Sequence, residues 1–405
     1  MSKIKLMQIG GGGYGASYVR SILAELPNDS YEYVGIVDPM IENSTAYEQI
    51  KEKNIPLYSS IEDFYSENTA DLVLVATPIA YHAPYTIYAL EHGSHVLCEK
   101  PIAATLQEAT LMKEAEKRSG KKVMIGFQWS FAPAMLAAKR DFLDGLFGKP
   151  VRFRMHVLWH RGWKYFSRNN WAGKLKDGRG NWVLDSVAHN ATAHYLHNEF
   201  FMQGDSIKAS AMPVKIQAEL YRANDIENFD TCLLRAVTEN GCETLYYTTH
   251  AISDVTAPTF AYEYEKAKLV YNCEGAEKPS TLYAIFADGS VKEYGNLDYA
   301  PIDKLHDAIK TVSNGDGVTC DLYSATPHLK TINFLADYVP IFDFPAEAVF
   351  ADGEKEATYV PGIKEILLDC FEKGILPSEA GAAWAQKPQT LDMGDYHEFL
   401  GRQYK

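Results

Sequence analysis

With 405 residues, 46% of them apolar and 23% charged, the chain has the composition of a globular protein of two or three packed domains, which excludes extensive disorder. Its net charge of −14, spread along the chain, sets nucleic-acid binding aside, because phosphate contacts need clustered Lys and Arg. Six scattered cysteines lack metal-ligand spacing, no apolar run approaches the ~20 residues of a membrane span, and no signal segment opens the chain. The expectation is a cytoplasmic protein with buried thiols, no metal and no membrane partner.

From Lys3 to about Gln128, apolar runs alternate with helical stretches, the pattern of a parallel sheet wrapped by helices. Strands are read at Ile4–Ile9, Tyr33–Val37, Asp71–Ala76, His95–Cys98 and Val123–Phe127, with helices at Tyr14–Glu25, Ala80–Glu91 and Thr105–Arg118. The near-continuous apolar runs suit strands covered on both faces. A helix over Pro133–Gly145 then leads into long strands at Val151–Trp159, Val214–Tyr221, Thr231–Thr238, Thr244–His250, Tyr262–Tyr271 and Thr281–Phe286. These point to an antiparallel sheet in a second, α+β domain. Thr326–Tyr338 and Pro361–Lys373 read as helices. The fold class is therefore α/β, a Rossmann-type doubly wound sheet plus an α+β domain, with boundaries at 1–128, 129–358 and a tail of 359–405. Within that tail, Asp392–His397 suits a solvated turn or a lid, and could cover a cofactor, join an oligomer or cap the core.

Gly10-Gly11-Gly12-Gly13-Tyr14-Gly15 satisfies G-x-G-x-x-G between the first strand and the first helix. Residues without side chains let the backbone approach a pyrophosphate, whose charge is favoured by the N–H groups at a helix start. Gly10, Gly12, Gly13, Tyr14 and Gly15 are thus candidate cofactor residues. Asp38 follows the next strand, about 20 residues on, where a ribose-binding acid belongs. A 2′-phosphate would meet that carboxylate, and no Arg or Lys follows through Pro39-Met40-Ile41-Glu42, so NAD is expected over NADP.

Three further pieces fall in order: Ala76-Thr77-Pro78 with His82, Glu99-Lys100-Pro101, and Asp185-x-x-x-His189. With the glycine turn, they resemble the Gfo/Idh/MocA family of glucose–fructose oxidoreductases and inositol dehydrogenases, from residue 3 to about 340. The resemblance implies a Rossmann domain, a C-terminal α+β domain with an open antiparallel sheet, and an active site between them. It implies NAD-dependent oxidation of a sugar or cyclitol hydroxyl, or the reverse reduction, with Thr77, Pro78, His82, Glu99 and Lys100 around the cofactor. It also implies a homodimer or homotetramer paired through the sheet, whose uncovered apolar face would otherwise meet water.

Removing hydride from a secondary alcohol needs a base for the hydroxyl proton and a donor for the developing alkoxide. His189 is the expected general base, because an imidazole pKa near neutrality suits transfer either way. Lys100 would stabilise the alkoxide, and Asp185 would accept a substrate hydrogen bond. Asn181–Phe200 reads as a helix that puts Asp185 and His189, four apart, on one face. Asn190, His194 and His197 also share a face, for which packing or substrate hydrogen bonds are favoured over a metal. The loop Trp159–Trp171 is dense in aromatic and cationic groups and is the expected substrate wall, with Gln128, Trp163, Arg168, Trp171 and His194 as candidate contacts. Aromatic faces stack on the C–H face of sugars, and guanidinium groups bind hydroxyls or a carboxylate.

The chain departs from the common family form where substrate is chosen. Ser186-Val187-Ala188 stands where x-Gly-x is frequent, Thr192 where an Asp is frequent, Gln128-Trp129 for Asn-Arg, and Ile79 for Asn. Two other functions fit the same motifs: a glycosidase or lyase that retains NAD and eliminates after transient oxidation, and a non-catalytic dinucleotide- or sugar-binding regulator.

Overall fold

Leu72–Val75 is buried at all four positions, so it cannot be a half-solvated strand and instead lies inside a parallel sheet. In the computed structural model, which describes residues 3–298 and 300–402, that sheet has six strands. Their spatial order is Leu57–Tyr58, Tyr31–Val37, Ile4–Ile9, Leu72–Val75, His95–Cys98 and Val123–Ile125, all paired parallel. In chain order this reads 3-2-1-4-5-6, the doubly wound arrangement whose ligand crevice lies at the carboxyl ends where the order reverses. The helices Gly15–Glu25, His82–Glu91 and Leu106–Ser119 lie in the connections. The last of these is delimited locally: Thr105 and Glu108 form a reciprocal capping box, and Gly120 at φ 68° ends the helix.

The chain divides into two units, Met1–Phe131 with Tyr299–Thr326 and Ala132–Asp298 with Pro327–Lys405. The boundaries read from the sequence therefore differ from the fold in two respects. The helix Pro301–Asn314 returns to the first unit; its inward positions include Lys304 as well as Leu305, Ala308 and Ile309, and the lysine breaks the apolar stripe. The segment after 358 is no separate extension but part of the second unit.

The second unit is built on a ten-stranded sheet. It is mixed, which corrects the all-antiparallel expectation: Glu243–Thr249 runs parallel to Pro150–Leu158, and Ile341–Asp343 parallel to Pro213–Arg222. The expected strand Tyr262–Tyr271 is a hairpin of Thr259–Tyr264 and Ala267–Tyr271. Its turn residues Glu265 and Lys266 donate their backbone N–H groups to Lys149 and Phe147, outside the ladder.

The two faces of this sheet are covered by different elements. On one, Tyr246, Tyr262 and Tyr264 donate their hydroxyls to Thr192 O, Asn198 Oδ1 and Met202 O in and around the helix Ala193–Phe201. On the other, Leu158, Leu233, Leu245, Tyr247 and Ala261 pack against Phe344, Val360, Ile363, Leu367, Phe371, Leu376 and Trp384. Polar residues of that face are also matched by the tail: Arg154 donates to Phe371 O and Glu372 O, Tyr247 to Cys370 O and Ile375 O, and Arg235 to Glu379. The open face expected from the resemblance is therefore occupied by the chain's own C-terminal segment, and the apolar surface invoked for pairing is covered there. Asp392–His397 caps the same unit: Leu391–Asp392 pairs with Pro213–Arg222, and Tyr396 donates to Asp337. Among the described residues no helix is long and apolar enough to cross a membrane.

Candidate functional site

The glycine turn is shaped by two backbone approaches. A Cβ on Gly10, at φ +86°, would lie 2.5 Å from Ala76 O, and one on Gly15 would lie 2.2 Å from Gly10 O, so neither position admits a side chain without moving backbone. Nothing lies within 4 Å of a Cβ built on Gly12 or Gly13, which leaves room for a ligand beside the start of the helix Gly15–Glu25. Gln8, fully buried in the first strand, donates to Gly10 O and Gly15 O and accepts from Tyr33. Ser44 donates to Gly11 O at 2.6 Å. Asp38, half-buried, accepts from Gly11 N and Met40 N at 2.8 Å each, which holds its carboxylate beside the turn. The hydroxyl of Thr77 is buried with no hydrogen-bond partner, and its methyl lies 3.1 Å from the Gly10 Cβ position. A dinucleotide fits these residues: space over Gly12 and Gly13, an orphaned hydroxyl beside Gly10, and an acid at the second strand's end.

Two connections beside this turn are tied together by His82. Its Nδ1 lies 2.7 Å from Pro101 O and its Nε2 2.9 Å from Thr77 O. Burial lowers the imidazole pKa against the opposing pull of both carbonyls. Pro78 is exposed in the first connection and Lys100, half-buried, stands in the second, joined to Pro101 by a cis peptide. Glu99, an expected cofactor residue, is buried. Its Oε1 accepts from Tyr18 at 2.7 Å and from Lys304 Nζ at 2.5 Å. Burial alone would raise this carboxyl; Lys304, Tyr18 and Lys100 outweigh it and hold the pKa below the usual carboxylate value. Gln8, Tyr18 and Lys304 were not singled out from the sequence, although a glutamine inside an apolar strand is a readable signal of a buried polar role.

In the second unit, Asp185 and His189 do not share a regular helix, which corrects the helix read over Asn181–Phe200. Asp185 lies in irregular chain with its N–H held to Lys174 O, and helical structure begins only after Ser186, as a π turn over Val187–Ala191 followed by the helix Ala193–Phe201. Ser186 accepts from His189 N and caps the turn. Single π turns recur at functional sites. Leu184, just before, has φ +46°, a conformation that costs of order 1–3 kcal/mol in a residue with a Cβ. It directs Leu184 O to His189 Nδ1 at 3.0 Å. A carbonyl only accepts, so Nδ1 carries a proton and donates it to Leu184 O. Asp185 is buried, with Oδ2 accepting from Gly173 N and Oδ1 from Asn190 Nδ2, both at 2.7 Å. The His328 ring lies 5.9 Å from that of His189.

The loop before this segment is packed around Tyr165. Arg161 and Arg168 lie over its ring at 4.9 and 3.7 Å, and Arg168 also approaches Trp171 at 5.3 Å. Trp163 donates to Thr358 at 2.9 Å, in the hairpin of Phe350–Asp352 and Ala357–Tyr359. His194 is half-buried on the helix Ala193–Phe201, whereas His197 is buried and stacked on Phe201. Gln128 opens a short 3-10 turn in the first unit.

A family model described as an oxidoreductase family with an NAD-binding Rossmann fold matches residues 4–127. Inositol 2-dehydrogenase of Rubrobacter xylanophilus is 28% identical over 160 residues, 39% of this chain and 44% of that relative. The scyllo-inositol 2-dehydrogenase (NAD(+)) of Bacillus subtilis is 28% identical over 155 residues, 38% and 44% of the two chains. The matched region thus spans less than half the length of these curated relatives. Levoglucosan dehydrogenase, solved as a complex with NADH, superposes with a TM-score of 0.66 at 19% identity, covering 82% of this chain and 95% of that one, and shares the fold. Over residues 4–127 the chain matches the family model of the Gfo/Idh/MocA oxidoreductases.

Proposed function

We propose that the protein is an NAD-dependent oxidoreductase acting on a secondary hydroxyl of a sugar, a cyclitol or a sugar derivative, in either direction. The observation that carries this reading is the glycine turn with Asp38 and the orphaned Thr77 hydroxyl, in a chain that also holds the His189 ring by an Nδ1 hydrogen bond to Leu184 O. Gly12 and Gly13 would admit the pyrophosphate, the N–H groups at the start of the first helix would meet its charge, and Asp38 would take the ribose hydroxyls and repel a 2′-phosphate. NAD, when bound, supplies the hydride acceptor.

His189 Nε2 takes the hydroxyl proton. The Lys100 ammonium stabilises the alkoxide as charge develops, and Asp185, fixed by Gly173 and Asn190, orients the substrate through a neighbouring hydroxyl. Glu99 acts at one remove by holding the Lys100 turn. The setting proposed is the cytoplasm, which suits buried thiols such as Cys98, Cys232, Cys320 and Cys370. Titration with NAD and NADP, then a panel of sugars, cyclitols and glycosides followed at the reduced-nicotinamide absorbance, tests the reading. Substrate-dependent NADH formation supports it. Glycoside cleavage without net NADH would favour the retained-cofactor lyase, and binding without turnover the regulator.

A further inference from the structure

The strand-borne arginines of the second unit are each matched by a carboxylate: Arg152 and Arg235 by Glu243, Arg154 by Glu263, Arg222 by Asp343. Arg161 and Arg168 differ. No ion pair to either is found among the described residues, and the Arg161 Nε is buried without a hydrogen-bond partner. Both guanidinium groups are instead held by rings, in the succession Trp159, Arg161, Tyr165, Arg168, Trp171, with centroid distances of 5.5, 4.9, 3.7 and 5.3 Å. Stacking fixes each guanidinium by a face; Arg161 Nη1 donates to His160 O and Arg168 Nη1 to Tyr165 O, and the remaining N–H groups suit a planar oxyanion.

The loop is anchored at both ends. Trp163 N donates to Glu356 O at 2.7 Å and its ring N–H to Thr358, while Gly173 N, just past the loop, donates to Asp185. Local charge is cationic although the chain is acidic overall. Lys164 adds an exposed ammonium. His250, whose ring lies 5.5 Å from Tyr165, is pushed down to about 3 by burial and by the nearby guanidinium groups, against the Trp159 carbonyl. Asp185 is the acid felt at Tyr165, and its oxygens already accept from Gly173 and Asn190.

We propose that Arg161 and Arg168 are specificity-determining residues that bind an anionic group, carboxylate or phosphate, on the sugar substrate, while the interleaved rings take its C–H face. This rests on the oxidoreductase reading and narrows its substrate class to anionic sugars. The two arginines leave the hydroxyl chemistry to His189, so they act on KM more than on kcat.

The test compares a hexuronate, the parent hexose and a hexose 6-phosphate, by NADH formation and by calorimetric titration, with wild type, Arg161→Met/Arg168→Met and Arg161→Lys/Arg168→Lys. An anionic sugar should be preferred over the neutral one at least tenfold in kcat/KM. The methionine pair should raise its KM at least tenfold with kcat within about twofold, the lysine pair should recover part of the loss, and added salt should weaken wild-type binding. Which anion is preferred distinguishes carboxylate from phosphate. Equal use of the neutral hexose, or an equal loss on all three sugars, overturns the proposal and leaves the oxidoreductase reading standing. Arginine-dependent binding of a sugar acid with no NADH from any substrate does the reverse. No binding of any anionic sugar overturns the anion site outright.

Discussion

Lys304 Nζ lies 2.5 Å from Glu99 Oε1, with the lysine side chain fully buried and the glutamate side chain 5% exposed. The pair joins the returning helix Pro301–Asn314 to the Glu99-Lys100-Pro101 turn, and Lys304 donates also to Gly126 O. Removing the ammonium leaves a buried carboxylate with only Tyr18 and the Lys100 N–H as hydrogen-bond donors, which costs about 3–5 kcal/mol. Lys304→Met should show that loss in urea unfolding, and Lys304→Met/Glu99→Gln should recover part of it. A single variant as stable as wild type would show that the pair is not coupled.

Glu199 makes the opposite prediction. It is fully buried, neither carboxylate oxygen has a hydrogen-bond partner, and burial raises its pKa well above the usual value. A carboxyl whose folded pKa exceeds its unfolded one contributes fully below the unfolded value, about 4.3, and loses that contribution as pH rises toward the folded value. The stability of Glu199→Gln relative to wild type should therefore climb between about pH 4 and neutrality, by up to about 1.4 kcal/mol per pH unit. A difference independent of pH would mean that Glu199 titrates normally.

Asp38→Asn keeps an acceptor for Gly11 N and removes the charge. NAD affinity should fall about tenfold or more, since hydrogen bonds to charged groups contribute about 1.5–3 kcal/mol, and the preference over NADP should shrink. Unchanged discrimination by fluorescence titration would remove Asp38 from the ribose site.

Leu367, fully buried against the sheet, keeps the C-terminal segment in place. Leu367→Asp should release that segment, uncover Leu245 and Tyr247, and promote self-association, read by light scattering after gel filtration. A released, protease-sensitive segment with unchanged mass would show that the covered face has no tendency to pair.

Much of the first unit was legible because its signals are local. The strands Ile4–Ile9 and His95–Cys98 fall where their apolar runs do, and the glycine turn is a property of adjacent residues. Lys304 was not legible: a lysine on a helix reads as solvated, and only the distant Glu99 makes burial tolerable. The spacing of Asp185 and His189 suggested a helix, but Leu184 in a left-handed conformation and the Ser186 cap delay it. The covered sheet face was hidden for another reason. Its arginines and glutamates read as exposed, and their partners are backbone carbonyls and tail residues more than 100 positions away.

The account rests on His189 as the base for hydroxyl oxidation. On the substrate that gives most NADH, kcat of His189→Asn should fall by about 10²–10⁴ while NAD affinity stays within about twofold. Turnover near the wild-type rate would contradict it.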